Sequence, residues 1–183
     1  MKKIFIISAI ILFGFISAHA QLEKGMKNIG GTLTYQGTSN GTSSTTILIQ
    51  PEFNYFVADR LSIGGSVGFS SQKFTETTNM FLLGVNARKH FSLAETVAWF
   101  IQGGINFGVG GDDNSSITSL GIAFRPGILV FITPKIGLES GFGSLGYQAY
   151  SVKPDGGSTS TTSTYGLNLN SNTLFFGFRY YFN

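Results

Sequence analysis

Cysteine is absent from all 183 residues. That excludes disulfide scaffolds, thiol nucleophiles, Cys-ligated zinc and lipid attachment through an N-terminal cysteine. Charge is scarce too: Asp, Glu, Lys and Arg make up 11% of the chain, against about 25% in an average soluble domain. No helical 3.6-residue pattern stands out after the first twenty residues, so a helical bundle has no support. What is plentiful is glycine, at 25 residues, and phenylalanine, at 18. The length suits a single domain.

The one long apolar run is at the start. Met1-Lys2-Lys3 is basic, residues 4–17 read IFIISAIILFGFIS, and Ala18-His19-Ala20 has the small-x-small form of a cleavage site. These are the three parts of a secretory signal peptide, and the run is shorter than the ~20 residues of a membrane-spanning helix. Residues 1–20 are therefore expected to be removed, leaving one domain over 21–183. Without Lys2 and Lys3 the basic residues number 10 against 9 acidic, a net of +1. No basic patch remains, and nucleic-acid binding has no electrostatic footing.

Period-two alternation dominates the rest. It predicts eight strands, over about 28–36, 46–57, 61–71, 80–91, 97–109, 117–132, 136–149 and 172–182. Most are far longer than the ~5–6 residues of a soluble strand, and a strand tilted ~45° needs 9–11 residues to cross a bilayer. Short connections (58–60, 92–96, 133–135) alternate with long polar ones (37–45, 72–79, 110–116, 150–171). An antiparallel up-and-down meander has this rhythm. The segment 150–171, with its SVKPDGGSTSTTST run, is expected to be a mobile loop.

Pairing residues across the short turns sorts the side chains into two faces. Tyr55 falls opposite Ile63, Ile49 opposite Phe69, Ala87 opposite Ile101 and Val130 opposite Leu138, all on an apolar face. Asn54 falls opposite Gly64, Glu52 opposite Ser66, Asn86 opposite Gln102 and Gly121 opposite Tyr147 on a small, polar one. Glu52, Arg88, Arg125, Glu139 and Arg179 all share the polar face. Eight strands enclose little room, so the small, charged face is expected inside and the bulky face outside, against lipid. The inverse arrangement, a soluble carrier with an apolar interior, would leave those charges in the open. Lys89 is on the outer face but two residues from a turn, where it can reach the interface. Phe91, Trp99, Phe131, Tyr180 and Phe182 cluster near the short turns, and Tyr35, Phe69, Phe81, Phe107 and Tyr147 near the long loops. These are candidate interfacial girdles, although Phe131 and Tyr147 read inward. Pro51 and Pro126 lie inside strands and lack a ladder donor, so bulges are expected there.

In the last strand Leu174, Phe176, Phe178, Tyr180 and Phe182 alternate outward, with Thr173, Phe175, Gly177, Arg179 and Tyr181 inward. The segment from Gly177 through Tyr180 to Phe182 resembles the C-terminal signal by which the assembly machinery recognises outer-membrane barrels. It departs from that signal at Phe175, where a polar residue is preferred, and in carrying Asn183 after the last aromatic. Phe124-Arg125-Pro126-Gly127, followed by an apolar strand and a tight turn, also resembles the small outer-membrane β-barrel domain family, of OmpX and OmpA type and porin-like. The resemblance covers essentially residues 21–183. It implies an all-β, eight-stranded transmembrane barrel in the outer membrane of a Gram-negative cell, with lipid bilayer and barrel-assembly machinery as partners and a monomeric state.

The five inward charges are expected to pair as a plug that fills the lumen. The functional alternative is a narrow polar path whose charges set ion preference. The one histidine after residue 20, His90, sits beside a short turn and reads inward opposite Ala98; no His–Ser–acid trio forms near the long loops, so catalytic residues are not expected. Asp112-Asp113-Asn114 lacks the spacing of a calcium loop and reads as a solvated turn. No cofactor or metal is implied. The expected role is structural or surface-interactive, through the long loops and an unidentified ligand there. A small-solute pore and, behind it, a lipid-modifying enzyme are the alternatives.

Overall fold

A computed structural model describes residues 22–40, 42–74, 76–169 and 175–183. The expected signal peptide, Thr173 and Leu174 lie outside the described residues. The elements are β1 (Lys27–Asn40), β2 (Thr42–Ala58), β3 (Leu61–Lys73), β4 (Thr77–Ser92), β5 (Val97–Asp112), β6 (Ser115–Thr133), β7 (Ile136–Gly141), β8 (Ser144–Pro154), β9 (Ser160–Asn168) and β10 (Phe175–Phe182). Each pairs antiparallel with its sequence neighbour from β1 to β7; β6 then continues its ladder onto β8, which pairs β9. β10 returns to pair both β7 and β1. β7 with β8 make one wall position and β10 with β9 the next, so the ten segments form a closed eight-stranded antiparallel barrel. Closure runs through Lys27–Phe182, Asn28–Tyr181 and Ile29–Tyr180, at the short-turn end.

The first short-turn register is as read from the alternation, with Tyr55 opposite Ile63 and Ile49 opposite Phe69. In the second hairpin the register differs by two: Ala87 faces Gly103 rather than Ile101, and Asn86 faces Gly104 rather than Gln102. An even shift leaves every side chain on its face, so the inside–outside division survives. In the third, Val130 faces Leu138 as expected, but the ladder breaks after Gly141 and resumes with Leu145 opposite Phe124. Two residues of β6, Arg125 and Pro126, thus stand opposite three, 142–144. Gly143 carries the bend at φ +79°, a conformation that costs glycine little. This one-residue slip reverses the faces beyond it. Tyr147 therefore stands opposite Ile122, not Gly121, and points outward rather than into the lumen.

Pro126 thus has its bulge on the strand across from it, where the missing donor would have bonded. Pro51 has none: it keeps register opposite Gly31, whose own φ is +143°. The register shifts of the turns lie instead at Phe56/Ala58 and Phe131/Thr133.

The long connections are not loops. β1 and β2 stay paired out to Asn40 and Thr42, β5 and β6 to Asp112 and Ser115, and β8 and β9 from Ser144–Asn168 to Val152–Ser160. Ser and Thr runs have polar side chains on both faces, and β-branched Thr favours extended backbone, so the ladders continue past the apolar band. The expected mobile loop 150–171 is mostly the tip of β8, a turn and all of β9.

Inside, the short-turn end is filled by Phe56, Phe100, Leu129, Phe131 and Tyr181, with Leu22, Ala98 and Met26 packed among them. The chain before β1 closes this end: Gly25 N–H donates to the Phe56 carbonyl at 2.9 Å and Arg60 N–H to that of Leu22 at 2.8 Å.

Candidate functional site

Alternation fixes which strand positions face the lumen, and stagger between strands fixes which of them meet. Four of the five expected charges meet. Arg88 from β4 and Arg179 from β10 converge on Glu139 of β7 and Glu52 of β2. Arg88 Nη1 donates to Glu139 Oε2, and Arg179 Nε donates to the same oxygen at 2.7 Å. Arg179 Nη2 donates to Glu52 Oε1 at 2.7 Å, while Arg88 Nη2 stands 4.0 Å from it. Amides complete the shell. Gln102 accepts from Arg88. Asn28 accepts from Arg179 at 2.9 Å, and Asn54 donates to Glu52 at 2.7 Å.

The side chains of Arg88, Arg179 and Glu139 are no more than 5% exposed and that of Glu52 is 14% exposed. Two cations and two carboxylates make the cluster neutral, which is the condition for burying it at tolerable cost. Gly177 and Gly64 make the room. A Cβ on Gly177 would stand 3.2 Å from the Glu139 side chain, and one on Gly64 would overlap Asn54.

Arg125 is not part of this cluster. On β6 it stands opposite Gln102 of β5, but its guanidinium makes no ion pair among the described residues. The strand stagger sets it above the cluster, on the wall of a cavity of about 650 Å³. That cavity lies between the charges and the long-hairpin end, with Glu52 and Gln102 at its floor and Gln50, Asn106, Ser119 and Gln148 on its walls. Nothing local in the sequence separates Arg125 from Arg88; both obey the same alternation.

Below the cluster lies the aromatic plug. His90 stands opposite Phe100, two residues from its expected partner Ala98. It is buried at the short-turn end, 5.5 Å from the Phe56 ring and 5.9 Å from that of Phe100. The Phe100 ring also carries the Arg88 guanidinium at 4.1 Å. Along the lumen the order is aromatic plug, neutral ion cluster, polar cavity.

The exterior is the inverse. Phe81 (66% exposed), Leu83, Val85, Ile105, Phe107 and Phe178 all present apolar surface outward. Phe91 and Trp99 stack at 4.2 Å near the short turns, and Phe69 meets Phe81 edge-on at 5.5 Å near the other end. Lys89 turns its ammonium to the Asp59 carbonyl in the turn, 3.4 Å away. In the terminal strand Gly177 faces Glu139, while Tyr180 points outward and stacks on Phe182 at 5.9 Å. At the far hairpin tip, the Asp112 carboxylate accepts from the Asn114 N–H at 3.0 Å and from the Ser115 hydroxyl at 2.9 Å. Those bonds hold its pKa below the ordinary carboxylate range.

No family model and no curated protein matches this chain. Among solved structures, the crystal structure of Neisserial surface protein A is similar, at 17% identity and a TM-score of 0.49, over 86% of this chain and 97% of that one.

Proposed function

We propose that the chain is an integral outer-membrane barrel with a sealed lumen that acts at the cell surface through its projecting hairpins. One observation carries this reading: large apolar side chains cover the outside while the buried charges sit within. In water this surface would be an aggregation hazard. The dimensions agree. Phe91 lies ten residues beyond Phe81 on β4. That is about 33 Å of strand at ~3.3 Å per residue, or about 23 Å of height at ~45° tilt, close to the ~25 Å apolar band of outer-membrane barrels. β6 has 19 residues, well beyond the 9–11 a tilted strand needs to cross. The surplus is polar hairpin, and β9 is exposed along its whole length.

On this reading the assembly machinery recognises the terminal strand through Gly177, Tyr180 and Phe182, the barrel inserts as a monomer, and a surface ligand meets the β8–β9 hairpin. Cell fractionation is the test of the membrane reading. The protein should be recovered only with detergent and should migrate differently on a gel before and after boiling. Release without detergent overturns the reading. For the surface role, an epitope inserted between Gly156 and Gly157 should be labelled by antibody on intact cells. Labelling only after lysis would place these hairpins on the other side. The plug argues against the pore reading, and planar bilayers holding folded protein should show no single-channel steps.

A further inference from the structure

Among the described residues that line the cavity, Arg125 is the one charge that the ion cluster leaves over. Glu52 and Glu139 are each committed to Arg88 and Arg179. Among the described residues, the cavity above them is lined by no carboxylate other than Glu52 and by no cation other than Arg125. Arg125 therefore gives this space a net positive charge. Arg125 is itself exposed to this space, so its charge is available to a solute that enters. A guanidinium offers five donors in a planar fork that matches an oxyanion.

The rest of the wall complements it. Gln50, Asn106, Ser119 and Gln148 present amide and hydroxyl groups that both donate and accept. Gln50 Nε2 already donates to Ser66 Oγ at 2.9 Å and reaches Asn106 Oδ1 at 3.5 Å, so the wall amides are held by one another. The cavity, about 650 Å³, falls in the ~300–1,000 Å³ range of small-molecule sites. The ion cluster and the plug close it on the short-turn side, leaving the hairpin side for entry.

We propose that this chamber is a binding site for a small, polyhydroxylated oxyanion, with Arg125 holding the anionic group and the amide wall holding the hydroxyls. The site is a blind chamber and passes nothing through the barrel. It does not depend on the membrane reading, since the cavity belongs to the folded barrel in any amphiphile.

The test is calorimetric titration of the folded, detergent-solubilised full chain with three probes: glucuronate, glucose 6-phosphate and uncharged glucose. Both anions should bind at one site per barrel and at least tenfold more tightly than glucose. The tighter of the two identifies the oxyanion as carboxylate or phosphate. Arg125→Gln should lose at least tenfold of that affinity, and Arg125→Lys should recover only part of it, because an ammonium lacks the fork. Gly121→Phe is the second variant. Gly121 lines the cavity, and a Cβ there meets nothing within 4 Å, so the ring can fill the chamber while Arg125 stays in place. It should abolish binding while heat-modifiable migration shows the barrel intact. Anions binding no better than glucose, unchanged affinity in Arg125→Gln, or full binding in a folded Gly121→Phe barrel would each overturn the proposal.

Discussion

Arg179 and Glu139 lie diagonally across the β10–β7 ladder, two residues out of register, with the guanidinium Nε donating to the carboxylate Oε2 at 2.7 Å. The same oxygen accepts from Arg88, which arrives from across the lumen. Glu139 is thus the hub of the cluster: one carboxylate holds two buried cations whose other anionic partner is Glu52.

Replacing the hub should be costly. Glu139→Gln keeps the size but leaves two guanidinia with one carboxylate between them, and removing one partner of a buried ion pair costs about 3–5 kcal/mol. Urea unfolding of barrels in lipid vesicles should show a loss of that order. Arg125→Gln, at a site with no ion pair among the described residues, should stay within about 0.5 kcal/mol of the parent. Equal losses for the two would mean that the cluster is not a linked unit.

Glycine spacing makes a second contrast. Gly64→Ala drives a methyl group into the Asn54 side chain and the Phe53 carbonyl, and forced overpacking costs about 1–3 kcal/mol. Gly121→Ala meets nothing within 4 Å and should be close to neutral in the same unfolding experiment. A neutral Gly64→Ala would show that the β2–β3 wall relaxes freely around Asn54.

If the proposed membrane location holds, the apolar outer face should reject charge according to depth. Val85→Arg, midway along the exposed apolar stretch of β4, should destabilise the barrel in vesicles by about 2–4 kcal/mol. Thr162→Arg, on the projecting β9, should change it by less than about 0.5 kcal/mol. Similar values at the two positions would contradict the height assigned to the apolar band.

Trp99 is the chain's only tryptophan, so its fluorescence reports one place. It stacks on Phe91 beside the short turns, where an interfacial girdle belongs. Lipids brominated near the headgroup should quench it more strongly than lipids brominated near the chain end. The reverse order would move the girdle to the bilayer centre.

Much of this architecture is legible in the chain because a strand's period is two. Tyr55–Ile63 and Asn54–Gly64 can be paired by parity alone, and the Arg88–Gln102 side of the barrel keeps its face even though the second hairpin register differs by two. The Gly143 slip was not legible: an odd insertion reverses faces, and nothing in the 142–144 triplet marks it beforehand except a glycine in a chain full of them. The Ser- and Thr-rich segments looked like loops because polar side chains on both faces erase alternation, although the backbone goes on pairing. The fate of Arg125 was out of reach for a different reason. Alternation says that Arg88, Arg125 and Arg179 all point inward; which of them finds a carboxylate depends on height in the barrel, set by the stagger accumulated around the whole wall.

Sidedness is the claim on which the rest depends, and two adjacent residues of β4 test it most directly. With no native cysteine to remove, Val85→Cys and Asn86→Cys can each carry a nitroxide label in a barrel folded into vesicles, and collision rates can be measured with oxygen, which concentrates in lipid, and with a water-soluble nickel chelate. The label at 85 should meet oxygen far more often than nickel, and the label at 86 should not. Oxygen-dominated collisions at 86, or the same ratio at both positions, would contradict the account.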